Sequence, residues 1–235
     1  NYQILNNLDE LYSEIKKKGM FSFQILCNSL SDFRQKIIGI SFCSEKDKSV
    51  FVPFSNESII ILKKLFNNKS IMKIGFDINI QIKILKKYDV LEIENFFDIS
   101  IAHYLLKPDM RHDLEILSEN YLSYTSLDIN EVLGRGKSKR SISELSEEKQ
   151  SFYCSELTDI QFQLMDIFTK ELKELKLYNL FQKIEMPLLV VLAKMELEGI
   201  SLNTEMLAKF SVQLSEEVRS LEKKIHTISG EEFNI

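Results

Sequence analysis

The chain has 235 residues, 44% of them hydrophobic, which is enough to bury a substantial core and argues against disorder of the whole. Thirty Lys and Arg against 35 Asp and Glu give a net charge of -5, a poor footprint for a domain that grips nucleic acid unaided, so any DNA contact is expected to be local or borrowed from a partner domain. Three dispersed cysteines, Cys27, Cys43 and Cys154, form no CxxC or Cys/His cluster and indicate neither a disulfide framework nor a zinc site, and apolar runs such as "MPLLVVLA" are too short to span a bilayer.

After a short helix-like opening, "FSFQIL", "IIGISFC" and "SVFVPF" carry β-branched or aromatic residues at alternate positions and predict a three-stranded antiparallel meander. "SIIILKKLFNN" then has helical spacing, "IMKIGF" is strand-like and "INIQIKILKKY" is helical again. The alternation predicts an α/β domain with a mixed sheet. From "FFDISIAHYLL" onward the pattern is mainly helical. His103 and His112 have no partner histidine at a metal-binding spacing, and Asp113 is expected to help fix a helix start.

The segment "LGRGKSKRS" interrupts the pattern with two glycines and four cations, Arg135, Lys137, Lys139 and Arg140. It reads as a basic loop, usually only solvated but a candidate contact for a DNA backbone. A long helix is predicted to start at Ser146 as N-cap, with Glu147 and Glu148 in its first turn. Its apolar stripe is Tyr153, Leu157, Ile160, Leu164, Phe168, Leu172 and Leu175. Beyond residue 176 two long amphipathic helices flank "EGISLN". The first is expected to present Phe181, Ile184, Leu188, Leu192 and Met195 on one face, and the second Leu207, Phe210, Leu214, Leu221, Ile225 and Ile228. Gly199 suits a chain reversal, Asn203 or Thr204 a cap, and Pro187 a kink or helix start. Neither helix can bury its apolar face alone, so a neighbouring element is expected.

"FFDISIAHYLLKPDMRHDLEILSENYL", "FQKIEMPLLVVLAKMELEGISLNTEML" and "GEEFNI" stand in the order found in bacterial DNA polymerase I, the family A repair polymerase, and the chain resembles that family over almost its whole length. The resemblance implies a 3′-to-5′ exonuclease-like domain of the DEDD type over 1–175, with a ribonuclease H-like mixed sheet, antiparallel meander and flanking helices. The start of a helical polymerase thumb would occupy 176–235. It also implies a cytoplasmic fragment, expected to be monomeric, that reaches DNA through a parent polymerase whose palm and fingers, with their Mg²⁺, lie elsewhere.

Two-metal phosphodiester cleavage needs carboxylates that hold a cation pair ~3.5 to 4 Å apart. The family's first strand supplies Asp-x-Glu, because residues two apart share a strand face. The matching positions here are Gln24 and Leu26. The family's second carboxylate falls at Gln81, and its Tyr-x-x-x-Asp motif falls on Tyr153 and Leu157. All four acidic positions are thus neutral, no metal is expected, and Tyr153 reads as a vestigial core residue. Gln24 and Gln81 are expected to hydrogen-bond each other across the old cleft.

The leading reading is a catalytically inactive scaffold for a DNA-directed DNA polymerase in replication and repair. An alternative is an active proofreading exonuclease rebuilt on Asp77, Glu156 and Asp159, although Glu156 and Asp159 point about 100° and 200° away from Leu157 around the helix. A third reading is a stand-alone nucleic-acid or protein binding module, against which the thumb-like tail argues.

Overall fold

A computed structural model describes residues 2–5, 8–28, 35–90, 94–134 and 140–235. The alternation in the first strands produces β2 (Met20–Cys27), β3 (Ile37–Cys43) and β4 (Ser49–Pro53), paired antiparallel as the predicted meander. Odd-numbered β2 residues Phe21, Phe23 and Ile25 enter the main core, where the Phe23 and Phe66 rings meet edge to face at 4.7 Å. Gly39 on β3 faces the Phe51 ring of β4, and a Cβ there would lie 2.2 Å from Phe51 Cζ. Only glycine leaves room for that ring.

Parallel strands β5 (Met72–Gly75) and β6 (Phe96–Asp98) extend the sheet beyond β2. A two-residue strand the sequence pattern does not reveal, β1 (Gln3–Ile4), pairs in parallel with β4. The order is β1-β4-β3-β2-β5-β6, a mixed sheet as predicted. Around it lie α1 (Leu8–Lys18), α2 (Asn56–Phe66), α3 (Ile78–Lys86), α4 (Ile99–Leu106), α5 (Leu114–Leu122) and α6 (Ile129–Leu133). Two buried polar residues tie strand ends to loops. Asp98 accepts from the Ile78, Ser100 and Ile101 amides at 2.7, 2.9 and 3.1 Å, so it caps α4 and holds the first turn of α3. Lys73 donates to the Asn68 and Glu94 carbonyls at 2.6 and 2.8 Å, and burial pushes its ammonium down to about 8.

Helix α7 (Glu147–Glu174) begins after Ser146 as predicted, with the Ser146 side chain accepting from the Lys149 amide. Its stripe from Leu157 to Leu172 is buried, Tyr153 is partly buried, and Leu175, at the C-cap, is exposed. On the even-numbered face of the sheet α7 approaches closely through small hydroxyl residues. Ser22 Oγ donates to the Thr158 carbonyl at 2.6 Å, while Thr158 Oγ1 lies 3.0 Å from Ser49 Oγ and 3.2 Å from Ser41 Oγ.

Asp113 occupies the N-cap position of α5, but its side chain makes no capping bond and instead faces Arg111 at 3.6 Å. The two histidines are paired rather than separate: His103 Nδ1 lies 2.7 Å from His112 Nδ1, with the His103 ring between Tyr121 and Phe168.

The tail differs from the predicted stripe. After the short turn α8 (Tyr178–Leu180), residues Phe181–Glu185 are π-helical and lead into α9 (Met186–Glu198). A π turn adds a residue per turn and rotates the helix beyond it. Phe181 remains buried, but Ile184, Leu188, Leu192 and Met195 are exposed, and Met186, Leu189 and Ala193 are buried in their place. Pro187 falls just after the π segment, at the start of α9, where it offers no N–H to the preceding turn. Two compact units result, Asn1–Leu197 and Glu198–Ile235, so the first unit continues past residue 175 because α9 shares its core. The second unit holds α10 (Thr204–Ser229), capped by Asn203, which accepts from the Met206 amide at 2.9 Å. Its apolar residues from Leu207 to Ile228 are exposed. Among the described residues no helix is long and apolar enough to cross a membrane.

Two outcomes are expected. Gly39→Ala should lower unfolding stability by about 1–3 kcal/mol in urea titrations, because the Phe51 ring must shift. Burial, with His112 and Lys107 nearby, pushes the His103 imidazole down to about 4, from about 6.5 in an unfolded chain. Between those values the unfolded chain binds a proton that the fold does not, so this contribution is full above about pH 6.5 and is lost as pH falls toward 4. Asp98, raised by burial to about 6, acts oppositely in the same window. Calorimetry of His103→Phe should therefore show a smaller fall in Tm on acidification than wild type.

Candidate functional site

Strand β2 presents its other face, Ser22, Gln24 and Leu26, to α7. The period of two places Gln24 and Leu26 side by side, as the predicted register requires. Gln24 is partly exposed, and its Oε1 accepts from Gln161 Nε2 of α7 at 2.9 Å. Leu26 is buried in a second apolar cluster with Phe51, Ile129, Leu133, Ile142, Leu145 and Cys154, against which Tyr153 packs.

Gln81 sits on α3, 3% exposed, and does not reach Gln24 as expected. Its Oε1 accepts from the Ile25 amide at 3.2 Å and its Nε2 donates to the Phe76 carbonyl at 2.7 Å. An amide suits this place because it satisfies one donor and one acceptor at once, which a carboxylate cannot. Leu157 is 8% exposed and belongs to the main core. Tyr153 packs against both clusters, and burial raises its phenol pKa, so it stays protonated. Each fully buried leucine contributes roughly 1.5–3 kcal/mol. Two amides and two hydrocarbons do not fit a pair of divalent cations, which require oxygen-rich anionic ligands.

Sequence reasoning missed Gln161. Its signal was a polar residue four positions after Leu157, on the same helix face. It is fully buried, and its Oε1 has no partner.

The alternative carboxylates are not brought to one point. Asp77 precedes α3 in a left-handed conformation, φ 49°, and lines an open pocket with Phe76, Ser100, Tyr104, His112 and Asp113. Glu156 is buried and accepts from Tyr124 Oη at 2.5 Å and the Leu127 amide at 3.0 Å, which pushes the Tyr124 phenol up to about 12. Asp159 accepts from the Asp47 amide at 3.0 Å and lines a different pocket with Tyr2 and Lys46. Among the described residues no group of three or more His, Cys, Asp or Glu side chains is placed to hold a metal ion. Of the basic loop, Arg135, Lys137 and Lys139 lie outside the described residues. Arg140 is exposed, and its guanidinium donates to the Val132 carbonyl at 3.3 Å.

Residues 2–173 match the family model described as the 3′-5′ exonuclease of family A DNA polymerases, and the chain belongs to that family. Its relatives are DNA polymerase I proteins: that of Borreliella burgdorferi is 33% identical over 97% of this chain and 26% of that protein, and that of Rhizobium leguminosarum is 24% identical over 98% and 26%. The chain therefore spans about a quarter of the length of the curated relatives it matches. Among solved structures, the POL domain of Pol1 from M. smegmatis, in complex with DNA primer-template and dNTP, has a TM-score of 0.79 at 14% identity, covering 99% of this chain and 38% of that one. Escherichia coli RNase D gives 0.67 at 14% identity, covering 83% and 51%. The fold is thus the ribonuclease H-like exonuclease fold, with a helical C-terminal part after it.

Gln81→Ala should lower stability by about 2–4 kcal/mol, since it strands the Ile25 amide and the Phe76 carbonyl. Leu157→Asp, which places a lone carboxylate in the core, should cost about 3–5 kcal/mol. Urea denaturation checks both; a neutral Leu157→Asp would show that the cleft is open to water.

Proposed function

We propose that this chain is the exonuclease-like part of a DNA polymerase I in which the 3′-to-5′ site has become a packed, uncharged cleft. The observation that carries this is the state of four positions together: Gln24 and Gln81 are hydrogen-bonded within the protein, and Leu26 and Leu157 are buried. In this reading the domain, with the thumb beginning near 176, is a scaffold. The parent chain is a nucleotidyltransferase that extends DNA with Mg²⁺ in replication and repair in the cytoplasm, and does not proofread from this cleft. Membership in an exonuclease family supports the ancestry, and the donor set supports the loss of activity. The basic loop containing Arg135, Lys137, Lys139 and Arg140 is the part of this domain assigned to the DNA backbone.

Purified chain incubated with 3′-labelled single-stranded DNA and Mg²⁺ or Mn²⁺ should leave the label at full length, and calorimetric titration with Mn²⁺ should give no saturable heat. Metal-dependent shortening that survives rigorous removal of contaminating nuclease would overturn the proposal.

A further inference from the structure

Helix α9 rests on the body through Met186, Leu189 and Ala193, all buried and spaced by three and four residues. Three residues beyond Ala193, the next position on that face is Glu196, a carboxylate where the stripe would continue with an apolar side chain. It meets two residues of α3. Lys83 Nζ forms an ion pair with Glu196 Oε2, and Asn79 Nδ2 donates to Glu196 Oε1 at 3.2 Å. Asn79 and Lys83 are one turn apart and share a face of α3, whereas Gln81, two residues from each, turns about 200° away toward β2.

The other fastenings of α9 are weak at this end. Beyond Ala193 none of its side chains is buried. Helix α3, in contrast, is held at its first turn by Asp98 and at Gln81 by the Ile25 amide and the Phe76 carbonyl. It is a fixed post to which the end of α9 can be fastened. Lys83 holds the Glu196 carboxyl below its ordinary range, so the pair is charged at neutral pH.

We infer that the Asn79, Lys83 and Glu196 clamp sets the direction in which α9 carries the chain out of the exonuclease body, making Glu196 a positioning residue for the polymerase part downstream. The inference rests on the scaffold reading above. Glu196 touches no reacting atom; it acts through the orientation of α9.

The test is a distance measurement by pulsed electron paramagnetic resonance in the full-length parent chain, with spin labels on Lys64→Cys in α2 and Glu198→Cys at the end of α9. The three native cysteines are buried, which directs labelling to the introduced thiols. Wild type should give one narrow distribution. Glu196→Ala and Glu196→Lys should each raise the displaced population about two- to five-fold, the range open to an exposed ion pair, and high salt should do the same to wild type. The charge swap K83E/E196K should restore the narrow distribution. Unchanged distances in Glu196→Ala at wild-type Tm, or a swap that folds but does not restore them, would overturn the clamp. Shortening of 3′-labelled DNA by the same preparations would instead overturn the inactive reading and leave the clamp standing.

Discussion

The close seating of α7 on the even-numbered face of the sheet is the constraint on which the rest depends. Thr158 lies at its centre: its carbonyl accepts from Ser22, and its hydroxyl is within hydrogen-bond distance of Ser41 and Ser49, with Ser155 3.0 Å from Ser41. These residues come from β2, β3, β4 and α7, all buried. Small hydroxyl side chains let the helix backbone approach the sheet while leaving each polar group a partner, which an apolar seam of larger residues would not allow. That approach brings Gln161 to the strand bearing Gln24 and Leu26.

An uncharged lining suits a closely packed cleft. Four carboxylates converging without cations would repel one another and resist burial. Here Leu26 and Leu157 belong to apolar clusters, and Gln24 and Gln81 are each hydrogen-bonded within the protein. The two buried carboxylates of α7 have structural partners. Glu156 holds the Tyr124 hydroxyl and the Leu127 amide, and Asp159 holds the Asp47 amide across to the meander. On one helix, then, two buried carboxylates each satisfy a backbone amide.

Much of this is legible in the residues. Alternation encodes the meander, Ser146 marks the start of α7, and the two-residue and four-residue steps set the register of Gln24, Leu26, Tyr153 and Leu157. The features that escape do so for identifiable reasons. The pair β1 and β4 is two residues long, below any periodic signal. The π turn at Phe181–Glu185 rotates the stripe of α9, and a pattern read at 3.6 residues per turn cannot register an extra residue. Sequence pattern pairs Gln24 with the wrong amide, because which glutamine lies across a cleft depends on how closely a helix sits, and spacing along the chain does not encode that distance. His103 and His112 look separate in the sequence, since the intervening chain hides a fold-back that pairs their rings.

The sheet and the helices around it are held together by where the buried residues lie. The main core runs without interruption from Phe21 and Phe23 through Phe97 and Phe168 to Phe181 and Ala193, so the sheet, α7 and the root of α9 are stabilised by one apolar mass. Phe97 of β6 and Phe181 of the π turn meet at 4.7 Å, which ties the last strand directly to the segment leading away. A collapse of the sheet would release α9 along with it, because the two share side chains rather than a linker. Leu157 of α7 is part of that mass. Any substitution that loosens the sheet therefore loosens the root of α9 with it, because both draw on the same buried side chains.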